Sequence, residues 1–159
     1  MPGKTFVSVH FAATGDRNYS RGFYALASAV EDMTPVFERI ASDIRDTVQS
    51  QFMTEGAAAG NPWAPLSPDY GAWKDAHYPG MPLLVRTGQM RHELLDPSAF
   101  MVGKQSLRYE PVSDIVIYHQ FGTRHMPRRK VLAITEARER SWDHYWAEWL
   151  AAQRQAWLH

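Results

Sequence analysis

Phe37, Ile40, Ile44, Val48 and Phe52 recur every three or four positions, and Glu38, Arg39, Asp43, Arg45, Asp46 and Gln49 stand between them. Apolar residues at that spacing form one stripe on a helix of 3.6 residues per turn, and such a stripe faces a core. Thr34-Pro35 is either a kink after residues 21–33 or a fresh start, and Thr as the cap with Pro at the first helical position, where a missing N–H costs nothing, is a preferred beginning. The expected helix runs to Phe52, about 19 residues and ~28 Å at a rise of 1.5 Å per residue. Asp43 and Asp46 read as its solvated face.

The chain has 159 residues, a length that suggests one domain over 1–159. A domain of that size buries roughly 70% of its unfolded surface and needs no covalent staples. There is no cysteine, which excludes disulfides and thiolate metal sites. Seventeen Lys plus Arg balance seventeen Asp plus Glu, so no whole-protein field draws in nucleic acid. The N-terminus lacks the apolar core of a signal peptide, and no apolar run approaches the ~20 residues of a membrane span. The expectation is a soluble intracellular chain.

Other elements follow from local pattern. Phe6–Phe11 alternates like a strand. Residues 21–33 place Phe23, Leu26, Ala27 and Val30 at helical spacing. Thr54–Pro82 is irregular, rich in Gly and Pro, yet it holds Trp63, Leu66, Tyr70, Trp73 and Tyr78. Those side chains require cover, so this long loop is expected to dock on the core or on a neighbouring subunit, with a short helix over Pro68–Ala76 behind Ser67. A second short helix runs from a Thr87 cap through Leu95. Phe100–Gly103, Ser106–Pro111 and Ile115–His119 read as three strands of an antiparallel meander, the last β-branched and central. A final helix, capped by Thr135, covers 135–158 and carries Trp142, Tyr145, Trp146, Trp149 and Leu150 on one stripe. Four of the six tryptophans lie in the last 18 residues. They serve as core, or as core and subunit contact together.

Candidate chemistry is sparse. Seven histidines include His119 and His125 on either side of Gly122. None is spaced to bind metal from a helix, so neither a metal nor another cofactor is expected. Gly-x-Ser-x-Gly and Gly-x-x-x-x-Gly-Lys are both absent. Ser67 and Thr87 read as helix caps, not nucleophiles. Arg124, His125, Arg128, Arg129 and Lys130 form one basic run around Pro127, following Phe121 and Gly122. It can touch a phosphate backbone, or pair with acids on a neighbouring protein.

Four segments read in order resemble a known family. They are Phe52-Met53 with Gly56, Gly60 and Pro62-Trp63-Ala64-Pro65-Leu66-Ser67; Leu83-Leu84-Val85-Arg86-Thr87-Gly88-Gln89-Met90; Ile117-Tyr118-His119-Gln120-Phe121-Gly122; and Met126-Pro127-Arg128-Arg129-Lys130-Val131-Leu132. Their order resembles the phage virion morphogenesis family of tail-completion or neck proteins, over roughly residues 36–140. His119 follows Tyr118 directly, without the family's intervening residue, and Val131 stands where Phe is usual. The N-terminal region 6–30 lies outside the resemblance.

The resemblance implies an α+β subunit: a small antiparallel curved sheet packed against a long amphipathic helix, with the long loop and a C-terminal helix. It implies a virion protein of the neck or tail, assembled in the host cytoplasm, and no catalysis. It implies a six-fold ring of copies between connector or stopper and tail-tube or tail-terminator proteins, with DNA passing through and no membrane. The loop aromatics Trp63, Leu66, Tyr70, Trp73 and Tyr78 are then candidates for the subunit interface. Arg124, His125, Arg128, Arg129 and Lys130 become candidates for lumen or ring contact, with Phe121, Gly122 and Pro127 shaping the turn. The alternatives are a DNA-binding adaptor acting through residues 124–130 and a small hydrolase or nuclease using His119 or His125.

Overall fold

A computed structural model describes residues 7–10 and 30–156. In order, these form β1 (Val7–His10), α1 (Thr34–Met53), α2 (Pro68–His77), α3 (Gln89–Leu95), β2 (Phe100–Val102), β3 (Ser106–Tyr109), α4 (Ile115–Phe121) and α5 (Glu136–Ala156). Single 3-10 turns occupy Ala57–Ala59 and Pro97–Ala99. The architecture is α+β. The expected helix over 21–33 lies, up to residue 29, outside the described residues, as does the chain beyond Ala156.

The chain forms two compact units. One comprises Met1–Asp43, Phe100–Glu110 and Glu136–His159, and the other Ile44–Ala99 and Pro111–Thr135. Helix α1 belongs to the first through Asp43 and to the second from Ile44.

The first unit holds the sheet. Its order is β1-β3-β2, both pairings antiparallel, with Val7 opposite Tyr109 and Phe100 opposite Tyr109. Along β3, Leu107 and Tyr109 are buried while Arg108 is exposed, the alternation of a sheet with one covered face. Phe100 stacks on Tyr109 at 4.5 Å, and burial pushes the Tyr109 hydroxyl above the usual phenol range. Met33, just before α1, and Val36, Phe37, Ile40 and Ala41 of α1 are buried in this unit. The Trp146 ring of α5 meets Phe37 edge-on at 5.4 Å.

Two expectations change here. Thr34 does not cap α1. The Met33 carbonyl accepts from Phe37 N at 3.2 Å, and Asp32 Oδ1 accepts from Thr34 N at 3.1 Å. The helix therefore starts one residue earlier, and Asp32 satisfies its first free donor. Asp43 is not solvated either. It is 8% exposed, pairs with Arg138 at 2.9 Å and accepts from Trp142 Nε1 at 3.1 Å. A carboxylate buried this far needs such partners. Beside it, Arg39 pairs with Glu148 at 2.7 Å and lies over the Tyr145 ring at 3.8 Å.

The second unit contains the rest of the α1 stripe, Ile44, Val48 and Phe52, all buried. After Met53 the chain reverses through Glu55 (φ 49°) and Gly56 (φ 88°). A Cβ on Gly56 would lie 2.5 Å from both the Asn61 carbonyl oxygen and Trp63 Cδ1, so the reversal admits only glycine. Trp63 N then donates to the Glu55 carbonyl at 2.7 Å.

The largest correction concerns Ile115–His119. It is not the central strand of a meander but the body of α4, and the central strand is β3, flanked by β1 and β2. Ile115, Tyr118 and Phe121 are 53–67% exposed while Val116 is fully buried, a helical alternation. Three β-branched residues in a row read as a strand, but tertiary packing overrides so weak a preference. Asp114 before the run and Gly122 after it are the start and stop signals that would have found the helix.

Candidate interaction groove

The site is built inside the second unit from two segments, the loop 54–82 and the turn 122–130. Trp63, expected at a subunit interface, is 7% exposed. Its ring meets Phe52 edge-on at 5.3 Å, and its Nε1 donates to the Lys130 carbonyl at 2.8 Å. Arg129, expected to face a lumen or a neighbouring ring, is also interior, at 5% exposed. Its Nε and Nη2 donate to the Ala64 and Pro65 carbonyls, both at 2.7 Å. The planar fork of a guanidinium suits two adjacent carbonyls, and the pair of bonds ties turn to loop. Lys74 makes the second tie. It is buried, and its Nζ donates to the Met81 carbonyl at 3.0 Å and to the Pro82 carbonyl. Burial lowers its pKa. The Glu55 carboxylate accepts from Leu83 N at 2.7 Å, closing the far end of the loop.

The turn is equally determined. Gly122 (φ 74°) ends α4 with its N–H on the Tyr118 carbonyl at 2.8 Å, and a Cβ there would lie 3.0 Å from Arg128 N. Thr123 and Met126 bond across the turn, and the Thr123 hydroxyl accepts from Met126 N at 3.0 Å. The free carbonyls at the end of α4 are taken up by the returning chain: Arg129 N on His119 O at 2.8 Å, Arg128 Nε on Gln120 O at 3.2 Å. The Gln120 amide binds both Val131 and Leu132, taking the place of a strand partner. Nothing in the local pattern signalled this role for Gln120, nor the inward turn of Arg129 and Lys74.

Ser67 stands at the N-cap position of α2, with Pro68 behind it, but its side chain makes no capping bond. At α3 the cap position is Gly88, with the Thr87 hydroxyl accepting from Gln89 N at 3.4 Å.

Between these elements lies a groove of ≈560 Å³. Its walls include Leu66, Tyr70, Tyr118, His125 and Pro127, so the groove draws loop and turn candidates together. Tyr70 and Trp73 are about two-fifths exposed, and Trp73 stacks between Tyr70 at 5.5 Å and His77 at 4.7 Å. Tyr78 is half-buried, near Trp73 and under the Arg86 guanidinium. Ile115, Tyr118 and Phe121 form an exposed apolar ridge along α4, i, i+3 and i+6. Arg124, His125, Pro127 and Arg128 are exposed and Lys130 half-buried.

His119 also lines the groove, with its Nδ1 buried and unbonded. Burial first, and then the Arg129 guanidinium, hold its imidazole below the ordinary pKa of 6.5. The folded chain therefore takes up this proton at lower pH than the unfolded chain. The stability carried by the neutral ring is complete above pH 6.5 and is lost as pH falls toward the depressed value. Thermal midpoints are expected to drop from about pH 7.5 to about pH 5, the range in which imidazoles titrate, and to drop less in His119→Gln. An identical drop in that variant would contradict this assignment.

Among the described residues, no group of three or more His, Asp or Glu is placed to hold a metal ion, and no helix is long and apolar enough to cross a membrane. No curated protein and no solved structure matches the chain. The profile of the phage virion morphogenesis family matches residues 16–151, reaching past both ends of the four motifs. That match takes in both segments that shape the groove, and the chain belongs to the phage virion morphogenesis family.

Proposed function

We propose that the chain is a neck or tail-completion subunit that joins tail to head and works by contact, not by catalysis. Copies close into a six-fold ring through a head-to-tail interface, and DNA passes through the lumen. Its other neighbours are a connector or stopper on one side and a tail-tube or terminator protein on the other. Assembly takes place in the host cytoplasm and ends in the virion.

The observation that carries this reading is the exposed ridge of Ile115, Tyr118 and Phe121 beside the groove. Large apolar side chains clustered in the open mark protein–protein contact. The ridge stands on a scaffold already fixed by the Arg129 and Lys74 ties, so little ordering entropy opposes docking. The exposed Arg124 and Arg128 give the turn the charge to meet DNA phosphates in a lumen or acids on an adjoining ring.

The double variant Tyr118→Asp with Phe121→Asp is expected to fold with nearly unchanged stability. An aromatic anchor contributes ~2 kcal/mol or more to an interface, so joining should fall at least about tenfold for each anchor lost. Electron micrographs should show filled heads and tails accumulating apart. A normal yield of joined, infectious particles would overturn the proposal.

A further inference from the structure

We propose that the groove receives a short acidic segment of a neighbouring virion protein, one carrying a carboxylate next to an aliphatic or aromatic side chain. This rests on the reading of the chain as a contact protein of the neck.

The first argument is charge. Three basic side chains line the groove, Lys74, Arg86 and Arg129, against a single acid, Glu93. Glu93 accepts from the neutral Gln89 amide at 2.8 Å and keeps its charge, so the lining carries an excess of two positive charges. The side chains of Lys74 and Arg129 donate to backbone carbonyls, which satisfy hydrogen bonds but carry no neutralising charge. Glu55 and Asp75 act on Lys74 from nearby, but neither lines the groove. Excess positive charge in a partly enclosed apolar cleft is less screened than on an open surface, so it draws in a carboxylate.

The second argument is the orphaned Nδ1 of His119 on the same wall. Buried polar atoms are nearly always paired; this one is closed to solvent, and a carboxylate or carbonyl of an occupant pairs it once the imidazole turns toward the groove. The third is the apolar lining: Leu84, Met90, Ile115 and Met126 offer cover for an aliphatic or aromatic side chain. Nucleic acid fits less well. A phosphate backbone needs a run of exposed Lys and Arg, whereas here one exposed cation, Arg86, is free to bond a single carboxylate while the buried Lys74 and Arg129 contribute only their field.

A random heptapeptide library panned against the full chain tests this directly. Enriched peptides should carry Asp or Glu adjacent to Leu, Ile, Phe or Trp. Changing that acid to its amide should weaken binding about tenfold or more. Arg86→Glu should abolish the enrichment while leaving the thermal midpoint in place. A neutral or basic consensus, no enrichment above background, or equal enrichment by Arg86→Glu would each overturn the assignment. So would tighter binding of a 20-nucleotide DNA that the same variant loses. Should the acidic consensus fail while the ridge variant still leaves heads and tails apart, the peptide assignment falls and the neck reading stands. Normal joining by the ridge variant overturns the neck reading whatever the library yields.

Discussion

Trp63→Ala is expected to destabilise the chain by about 3–5 kcal/mol, as for other buried aromatics cut back to alanine. The ring fills the space between Phe52 and the Gly56 reversal, and its indole N–H holds the Lys130 carbonyl. Removing it opens a cavity and leaves that carbonyl without a donor. At ~2–4 °C per kcal/mol for a chain of this size, the midpoint should fall by roughly 10 °C. Trp63, 7% exposed, thus serves the interior of the folded chain, and its loss is first a loss of stability. Trp73→Ala is the informative control. Trp73 is 41% exposed, so its loss should cost within about 1 kcal/mol and act on assembly instead. Denaturant titration of both variants distinguishes the two roles. Equal, small losses would refute the interior role of Trp63.

Reversing charge at two adjacent arginines should give opposite outcomes. Arg129→Glu is expected to cost ~3–5 kcal/mol, because it removes a buried guanidinium and puts a carboxylate against the Ala64 and Pro65 carbonyls. Arg128→Glu should cost under about 1 kcal/mol, since that side chain is exposed and gives up one long bond to Gln120. Any defect in head–tail joining from Arg128→Glu then reports on contact, whereas one from Arg129→Glu reports on folding. Similar midpoints for the two variants would show that Arg129 does not tie the loop.

Much of this fold is legible in the sequence where the pattern is local and repeated. All five stripe residues of α1 are buried, and the Ser-Pro-Asp start of α2 and the short β2 and β3 lie where turn chemistry and alternation put them. The failures share a cause, which is that the deciding partner is distant in sequence. β1 pairs with β3 across about a hundred residues, and no local signal selects β1 over the β-branched run at 115–119. Arg129, Lys74 and Asp43 look like surface charges until the chain brings carbonyls or a cation around them. The candidate site divides along the same line. Loop and turn both stand out in composition, but which of their residues hold the scaffold and which stay open depends on contacts more than sixty residues apart, Trp63 to Lys130 and Arg129 to Ala64.

The burial of Lys74 also decides how the protein can be mapped inside a particle. The sequence has only four lysines, Lys4, Lys74, Lys104 and Lys130. With its ammonium enclosed by the Met81 and Pro82 carbonyls, Lys74 is shielded from amine-reactive cross-linkers as long as the loop stays closed. Lys130, at the end of the basic turn, is the lysine placed to register a neighbour at that turn. An unmodified Lys74 in the same digest certifies that the reporting molecules were folded.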